Sequence, residues 1–366
     1  MKKLRTGVIG CGLVAQVMHL HYLRELGERF EIAALCDLSE NVRKSCARDY
    51  GVAETFSDWR DLLKQPLDAV LVLTPGSHAP IAIAAFEAGL HVLVEKPMCF
   101  SIAEGQGMIA AAEKAKKVFM VAYNKRYDPA FPRLIEERKK LEDLRLVRVT
   151  TLESPINHYV DQSTLHRGAA LPVDLIASLK ADNEARITAA IGSDDPLARW
   201  AYHLVLLDSM VHEFNVLRGV LGEPDELTFA NIRKNGLSAI LRFGDAECAI
   251  HWVDLPGIAR YSMEFGFYSP NKRLTFSMPS PFLRNAPTLL TEEGGDPATA
   301  QSYRKEEVVS HAESFKEELL HFHSCITTGE APRTPGQDGL RDIALCQAIV
   351  KAHLTRKPVL NPTKTS

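Results

Sequence analysis

An aspartate and a histidine stand four residues apart in a segment of helical periodicity, at Asp208 and His212. At this spacing both side chains project from one face of a helix. A third group, Lys96, directly follows an apolar run that is typical of a buried strand. An imidazole takes up protons near neutral pH, and an ammonium stabilises developing negative charge, so the three suit proton transfer. An isolated Asp–His pair on a helix is more often structural than catalytic. A catalytic role therefore requires that the fold place Lys96 next to the pair.

A glycine-rich turn lies between the first strand pattern and the first helix pattern, and it consists of Gly10, Cys11, Gly12, Leu13, Val14 and Ala15. In a GxGxxA turn the glycines allow a tight bend and close approach to a diphosphate, and the helix N-terminus faces the anion. Asp37 closes the next strand pattern, where a carboxylate bonds the ribose hydroxyls and repels a 2′-phosphate. Arg43 is the residue that could instead accept such a phosphate. The motif predicts NAD as cofactor, in preference to NADP.

Residues 1–123 alternate short apolar runs with segments of helical periodicity. This rhythm predicts βαβ units, and therefore a doubly wound parallel sheet in a dinucleotide-binding (Rossmann) domain. His19 and His21, early in the first helix, are expected to be partly exposed packing residues. The predicted strands are Arg5–Ile9, Glu31–Cys36, Ala69–Leu73, His91–Val94 and Val118–Ala122, and the predicted helices are Leu13–Leu26, Asn41–Tyr50, Ile81–Ala88 and Ile102–Ala115.

The remainder, residues 124–366, is predicted to be an α+β domain that binds substrate and mediates oligomerisation. After a helix pattern at Pro129–Leu141, longer alternating segments indicate an open, mainly antiparallel sheet. Residues 156–199 show only a helical pattern around Val173–Ile191, and we expect an insertion or a lid there. The other predicted elements are strands at Arg145–Glu153, Glu226–Arg233, Ser238–Phe243, Ala246–Val253, Tyr261–Phe267 and Arg273–Ser277, and helices at Ser314–Thr328 and Asp338–Leu354.

Composition and charge exclude several classes of function. The net charge of −3 and pI near 6.5 provide no basic field for nucleic acid. Seven cysteines are scattered without a CxxC pair or a Cys/His array, which predicts free thiols in a reducing compartment and no metal site. No apolar run is long enough to span a bilayer, and the amino terminus lacks a signal-peptide pattern. We therefore expect a cytoplasmic protein without a membrane partner.

Several motifs occur together in an order that resembles the glucose–fructose oxidoreductase / inositol dehydrogenase family (Gfo/Idh/MocA). The resemblance covers residues 1–130 closely and 200–355 in outline. It implies an oxidoreductase with a nicotinamide cofactor that acts on an alcohol of a sugar or polyol. The motifs are Gly10-x-Gly12-x-x-Ala15, Thr74-Pro75-Gly76-Ser77-His78, Glu95-Lys96-Pro97, Asp208-x-x-x-His212 and the looser Tyr123-Asn124-Lys125-Arg126-Tyr127-Asp128-Pro129.

The resemblance also implies roles for individual residues. Lys96, Asp208 and His212 would be the catalytic set, and the Lys96–Pro97 bond would be cis. The cofactor would be held by the glycine turn, Asp37, Thr74, Pro75, His78, Glu95, Lys96 and Asn124, with Arg126 near the substrate. Where many members carry a glycine-rich run before the aspartate, this chain has Arg199-Trp200-Ala201-Tyr202-His203. Trp200 and His203 are therefore candidate substrate contacts, and the substrate's identity stays open.

The predicted reaction is transfer of a hydride between NAD and a secondary alcohol or ketone of a sugar, polyol, sugar acid or glycoside. His212 is predicted to accept the hydroxyl proton, Lys96 to polarise the hydroxyl and Asp208 to orient both. The reversed assignment of lysine and histidine remains open. Two alternatives are an NAD-dependent, redox-assisted glycoside hydrolase and a non-catalytic dinucleotide-bound regulator. We expect a homodimer or homotetramer, with one face of the second sheet buried between subunits.

Overall fold

The computed structural model describes residues 2–168 and 171–357. Its first sheet is parallel throughout and has the spatial order β3-β2-β1-β4-β5-β6. This order changes direction beside the first strand, which is the doubly wound arrangement that the sequence predicts. The six strands are β1 (Leu4–Ile9), β2 (Phe30–Cys36), β3 (Glu54–Phe56), β4 (Ala69–Val72), β5 (His91–Glu95) and β6 (Phe119–Ala122).

Helices connect these strands, and local side-chain chemistry fixes several of their ends. Ser39 caps α2 by accepting a hydrogen bond from the Val42 amide, and Gly51 ends it in the left-handed conformation. Ser101 and Glu104 form a capping box at α5. The helices are α1 (Leu20–Glu25), preceded by a π-helical segment Ala15–His19, α2 (Glu40–Tyr50), α3 (Trp59–Leu62), α4 (Ala79–Glu87) and α5 (Ile102–Ala115).

The second sheet has eight strands in the order β14-β13-β12-β11-β7-β10-β9-β8. All neighbouring pairs are antiparallel except β7 and β10, so the sheet is mainly antiparallel, as predicted. The strands are β7 (Leu146–Glu153), β8 (Glu226–Arg233), β9 (Gly236–Phe243), β10 (Ala246–Asp254), β11 (Ser262–Tyr268), β12 (Lys272–Met278), β13 (Leu289–Asp296) and β14 (Gln301–Val308).

Three strands escape prediction from the sequence. β3 is only three residues long and half-buried, which leaves too short a pattern to recognise. β13 contains Gly294 and Gly295 just before its last residue, and glycines have no side chains to alternate. β14 forms the edge of its sheet and exposes nearly every side chain, so it lacks the buried face that produces alternation.

The helices after residue 123 pack around the second sheet, and the last two also contact the first sheet. A 3₁₀ turn, Asn124–Tyr127, follows β6. The predicted helix Val173–Ile191 is present with the same bounds. The helices are α6 (Ala130–Lys139), α7 (Asn157–Val160), α8 (Val173–Ile191), α9 (Pro196–Trp200), the π-helical segment Ala201–Met210, α10 (Val211–Leu221), α11 (Ser314–Thr328) and α12 (Gly336–Thr355).

The last two helices pack against the nucleotide-binding side of the molecule. Phe315, Leu319 and Phe322 of α11 are buried in the same apolar cluster as β1 and α1. Just before α12, the carbonyl of Thr334 accepts a 2.9 Å hydrogen bond from the Val121 amide in β6. α12 also packs against β8 of the second sheet, so the C-terminal helices contact both sheets. A domain boundary at residue 123 stays a prediction.

Within the described ranges, no helix is long and apolar enough to cross a membrane. Over the same residues, no group of three or more histidine, cysteine or acidic side chains could hold a metal ion. All seven cysteines are free and buried.

Candidate active site

A cavity of about 540 Å³ lies where the carboxyl ends of the parallel strands face the second sheet. Leu13 and Val14 of the glycine turn form one wall, and Lys96, immediately after β5, forms another. Asp208 and His212 line the cavity from the helical region that precedes β8. Ligands of open α/β sheets bind at this end of the strands, so the cavity is placed for a dinucleotide and its substrate.

The lysine and the aspartate are in direct contact. Lys96 Nζ donates hydrogen bonds to Asp208 Oδ1 at 2.7 Å and to the Asp208 carbonyl oxygen at 2.8 Å. Asp208 belongs to the π-helical segment Ala201–Met210, and His212 follows at the start of α10. π-Helical turns are rare and occur often at functional sites. The Lys96–Pro97 bond is cis, as the family resemblance implies.

Charge and burial set the protonation states of these three groups. Burial favours loss of the Lys96 proton, but the charges of Asp208 and Glu95 outweigh it and raise the pKa of Lys96. The Lys96 ammonium holds the pKa of Asp208 below its ordinary value. Burial, followed by the charges of Lys96 and Lys125, lowers the pKa of His212 well below 6.5. At neutral pH the site therefore contains an ammonium, a carboxylate and a neutral imidazole.

Glu95 is held by a buried histidine. His19 Nε2 lies 2.8 Å from Glu95 Oε1, and the Lys96 amide donates to Glu95 Oε2 at 3.0 Å. Burial alone would raise the pKa of Glu95, but the His19 contact and the charge of Lys96 lower it. His19 is 0% exposed, so its expected place as a partly exposed packing residue is wrong. Helical periodicity could not reveal its partner, Glu95, which lies far along the chain at the end of β5.

The glycine turn has room for a diphosphate. Gly10 has a φ of +94°, and a side chain there would come within 2.8 Å of the Leu73 carbonyl group. A Cβ at Gly12 would meet nothing within 4 Å, so this side of the turn is open. Asp37 accepts hydrogen bonds from the amides of Cys11 and Ser39, both at 2.8 Å. The residues present thus fit a nicotinamide dinucleotide, with the Asp37 carboxylate beside the turn.

The Thr74–His78 turn packs beside the site and is held to the Lys96–Pro97 loop by His78. The His78 ring lies 2.6 Å from the Thr74 carbonyl oxygen and 2.8 Å from that of Pro97. At 1% exposure, His78 does not line the cleft, contrary to the expectation for it. It connects two loops instead, while Thr74 is half-buried and Pro75 exposed at the surface.

Asn124 lines the cavity, but Arg126 does not. The Asn124 side chain donates to Ser314 Oγ at 3.1 Å, which fixes it to α11. Arg126 points the other way, donates to the Asn215 carbonyl oxygen at 3.0 Å and packs against Gly219 of α10. The structure therefore does not bring Arg126 to the cavity as predicted, because successive residues of the 3₁₀ turn face different elements.

Trp200 and His203 also lie outside the cavity lining. Trp200 packs against the main apolar core. His203 meets Phe100 edge-on, with ring centroids 5.3 Å apart. The structure therefore does not place either ring at the cavity, where the predicted contact with a sugar ring would require it. Leu204, which is 50% exposed, lines the cavity together with Asp208 and Ser209 of the same π-helical segment.

Several polar cavity residues were missed from the sequence. Lys125 is 3% exposed, and burial lowers its pKa to about 8 even though Glu213 lies near it. Glu213 does not line the cavity: it is fully buried, which raises its pKa to about 7. Glu153 Oε2 accepts from Ser209 Oγ at 3.1 Å. The position of Glu153 at the end of a strand was an available signal, whereas the burial of Lys125 was not. The remaining polar or aromatic lining residues are Ser154, Tyr159, Trp252, Tyr261 and Ser280.

Comparison with known proteins assigns the chain to a family. The model of the Gfo/Idh/MocA oxidoreductase family's NAD-binding Rossmann domain matches residues 4–123, and that of its C-terminal α/β domain matches residues 287–360. The chain belongs to the Gfo/Idh/MocA family. It is an oxidoreductase with a nicotinamide-dinucleotide-binding domain, as the sequence motifs imply.

Relatives and solved structures extend over nearly the whole chain. Myo-inositol 2-dehydrogenase of Thermotoga maritima is 26% identical over 363 residues, which are 95% of this chain and 96% of that protein. A 3-ketoreductase from Actinomadura kijaniata, solved with NADP, has a TM-score of 0.73 at 19% identity and covers 96% of this chain and 98% of its own. Levoglucosan dehydrogenase with NADH and levoglucosan gives 0.73 at 18% identity, with the same coverage. At these identities the two structures establish a common fold.

Proposed function

We propose that the protein transfers a hydride between NAD and a secondary alcohol or ketone of a small polyhydroxylated compound: a sugar, polyol, sugar acid or glycoside. The observation that carries this proposal is the contact of Lys96 with Asp208 beside His212, in a cavity that the glycine turn also lines. Myo-inositol and levoglucosan, named for two similar proteins, are both compounds of this kind. A decayed, purely regulatory site would have no need of this arrangement.

The protonation states support a division of roles. His212 is neutral at neutral pH, so its imidazole can accept the hydroxyl proton of an alcohol. Lys96 stays an ammonium, so it can stabilise the alkoxide that forms. Asp208 holds that ammonium in place from the second domain. A bound nicotinamide supplies the hydride acceptor.

The preference for NAD over NADP is supported by the surroundings of Asp37. Its carboxylate lies at the end of β2, where ribose hydroxyls bind in this fold and where a 2′-phosphate meets negative charge. Leu38 beside it is 51% exposed and provides no counter-charge. Arg43, the competing candidate, directs its guanidinium to the Asp37 carbonyl oxygen at 2.6 Å. Its position does not favour a phosphate role.

The polar lining of the cavity supports a substrate rich in hydroxyl groups. Lys125 supplies a donor and Glu153 an acceptor, and both lie near the catalytic set. Trp252 and Tyr261 add aromatic surface, on which the apolar face of a sugar ring can rest. We therefore assign substrate binding to Lys125, Glu153, Trp252 and Tyr261, together with Lys96, Asp208 and His212.

A substrate screen tests this function. Purified protein is mixed with NAD or NADP and a panel of polyols, aldoses, sugar acids and aryl glycosides, and formation of NADH or NADPH and release of glycone are followed. We expect reduction of NAD with at least one polyol or sugar, lost in a Lys96→Met variant. Glycone release without net NADH would identify a redox-assisted hydrolase instead. Tight NAD binding without turnover of any compound would favour a regulator.

A homodimer or homotetramer formed through the second sheet is a further part of the proposal. Arg148 of β7 and His251 of β10 project from the sheet side opposite the buried Val147 and Val149, and both are exposed. An antiparallel sheet commonly packs one face on the core and leaves the other open, so this face is free to pair with a second subunit. Light scattering coupled to size exclusion measures the mass. A monomer at micromolar concentration would contradict the proposal.

A further inference from the structure

Residues 156–168, here called the strap, leave the end of the substrate cavity and cross to the nucleotide-binding domain. Ile156 and Tyr159, at its start, line the cavity. The strap then passes the glycine turn and ends beside the N-terminus of α2. Its contacts fall on the face of the first domain where the carboxyl ends of β1 and β2 lie.

Gln16 joins the strap to the glycine turn. Its amide oxygen accepts from the His166 main-chain N–H at 2.8 Å, and its Nε2 donates to the His166 carbonyl oxygen at 3.1 Å. The same Nε2 donates to the Cys11 carbonyl oxygen at 2.8 Å. This pair of main-chain contacts fixes the position of the strap relative to the diphosphate end of the cofactor site.

Three more contacts hold the end of the strap at the adenosine side. His166 Nε2 lies 2.5 Å from Asp49 Oδ2. Asn41 Nδ2 donates to the Arg167 carbonyl oxygen at 3.1 Å. Gly168 lies against Ser39, because a Cβ at residue 168 would come within 2.6 Å of Ser39 Oγ. Ser39 and Asn41 closely follow Asp37, the carboxylate assigned to the ribose.

The other end of the strap builds part of the substrate site. Tyr159 Oη accepts a hydrogen bond from the Tyr261 amide and lies 3.2 Å from Ser154 Oγ. Tyr159, Ser154 and Tyr261 all line the cavity. One continuous segment of thirteen residues therefore contacts both the substrate cavity and the adenosine side of the glycine turn.

We propose that the strap completes the adenosine half of the dinucleotide site and retains the bound cofactor between turnovers. This inference rests on the proposed function, since it requires a dinucleotide at the glycine turn. Exchange of cofactor then requires the contacts of His166, Arg167 and Gly168 to break. Because Tyr159 belongs to the same segment, docking of the strap on the cofactor also completes the substrate cavity, and cofactor binds before substrate.

A reversible cross-link between Ser39 and Gly168 tests the proposal. A Cβ at residue 168 would lie 2.9 Å from Ser39 Cβ, and a disulfide spans about 3.5–4.5 Å, so a small shift permits the bond. The seven native cysteines are buried and do not compete. The Ser39→Cys/Gly168→Cys protein is loaded with NADH, oxidised and mixed with excess NAD, and loss of bound NADH fluorescence is followed. We expect release to slow by roughly tenfold or more and to recover on reduction.

Changing the order of NADH loading and oxidation distinguishes a strap that retains the cofactor from one that occupies the cofactor's place. Protein oxidised before NADH is added should bind it far more slowly than reduced protein. If bound NADH prevents the disulfide from forming, the strap occupies the cofactor's own place and the proposal is wrong. An unchanged release rate after complete oxidation also overturns it.

Two single variants test the strap without a cross-link, by weakening its contact where the disulfide would strengthen it. His166→Ala removes the contact with Asp49, and we expect NADH release to accelerate about three- to tenfold, the range for one lost hydrogen bond. His158→Ala, at an exposed position of the same strap, should leave the rate unchanged. Equal rates in both variants contradict the proposal. Failure of the unaltered protein to bind NADH at all would instead contradict the proposed function.

Discussion

The Lys96 ammonium bonds both the carboxylate and the main-chain carbonyl oxygen of Asp208, a residue 112 positions further along the chain. The Asp208 side chain keeps 62% exposure because it borders an open cavity, and that of Lys96 keeps 19%. An ion pair with one partner open to water contributes little to stability. Its effect is to fix the position and the charge of the lysine at the end of β5.

The catalytic assignment predicts the effect of removing each group. His212→Asn and Lys96→Met should each lower kcat by roughly two to four orders of magnitude, the usual contribution of a positioned acid–base or electrostatic group. NAD affinity should change little, because the diphosphate is assigned to the glycine turn. Steady-state kinetics and fluorescence titration with NADH measure the two effects. Full activity in both variants would place the chemistry elsewhere.

The pH dependence of turnover distinguishes the proton acceptor. Burial and the charges of Lys96 and Lys125 lower the pKa of His212, so the imidazole becomes protonated only at pH values well below 6.5. Turnover should therefore be lost as the pH falls through that range, and the His212→Asn variant should lack this acid limb. If the limb persists there and disappears in Lys96→Met, the two roles are reversed.

Cofactor preference should depend on Asp37. Replacing Asp37 by Ser and the exposed Leu38 by Arg removes the carboxylate and adds a cation. The ratio of NADP affinity to NAD affinity should therefore rise by roughly tenfold or more. Titration of both cofactors measures the ratio. Arg43→Ala, which removes only a contact with the Asp37 carbonyl oxygen, should keep the preference for NAD. Tighter binding of NADP by the unaltered protein would show that Asp37 has another role.

Lys125 is expected to bind substrate. Lys125→Met should raise KM by about tenfold or more, as expected for a lost charged hydrogen bond, with a smaller change in kcat. Burial lowers the pKa of Lys125 to about 8, so the KM of the unaltered protein should rise above pH 8, whereas that of the variant should not. Lys139→Met, at an exposed position of α6, is the control. A lower kcat at unchanged KM would contradict a binding role.

Glu318 is expected to make stability depend on pH. It is 0% exposed, its carboxylate oxygens have no partner among the described residues, and burial and the charge of Glu95 raise its pKa well above 4.5. Its contribution is fully present below pH 4.5 and is lost as the pH rises towards the native pKa. Glu318→Gln should therefore raise the free energy of unfolding at pH 8 by about 1–3 kcal/mol, with a smaller gain at pH 5.

Urea unfolding at the two pH values measures this difference. Glu317→Gln, the neighbouring residue on α11, is the matched control and should show no comparable change with pH. An equal gain at pH 5 and pH 8 would mean that the native carboxyl group does not titrate as its burial requires.

Periodicity and short motifs were sufficient to predict most of the elements. The five predicted strands of the first domain are present in one parallel sheet, and Val173–Ile191 is a helix with the predicted bounds. These predictions succeed because alternation, apolar runs and turn residues are local properties of the chain. β14 shows the limit, since an edge strand with charged side chains has no buried face to predict it from.

The sequence by itself determined the glycine turn, the residue types of Lys96, Asp208 and His212, and the sheet classes. Tertiary packing alone decided which polar residues share the cavity. It brought Lys125 into the site and turned Arg126, its neighbour, towards Asn215. Such placements depend on contacts between segments a hundred or more residues apart, where the direction of a side chain is set by its neighbours in space. The spacing of residues in the sequence does not indicate which residues become neighbours in space.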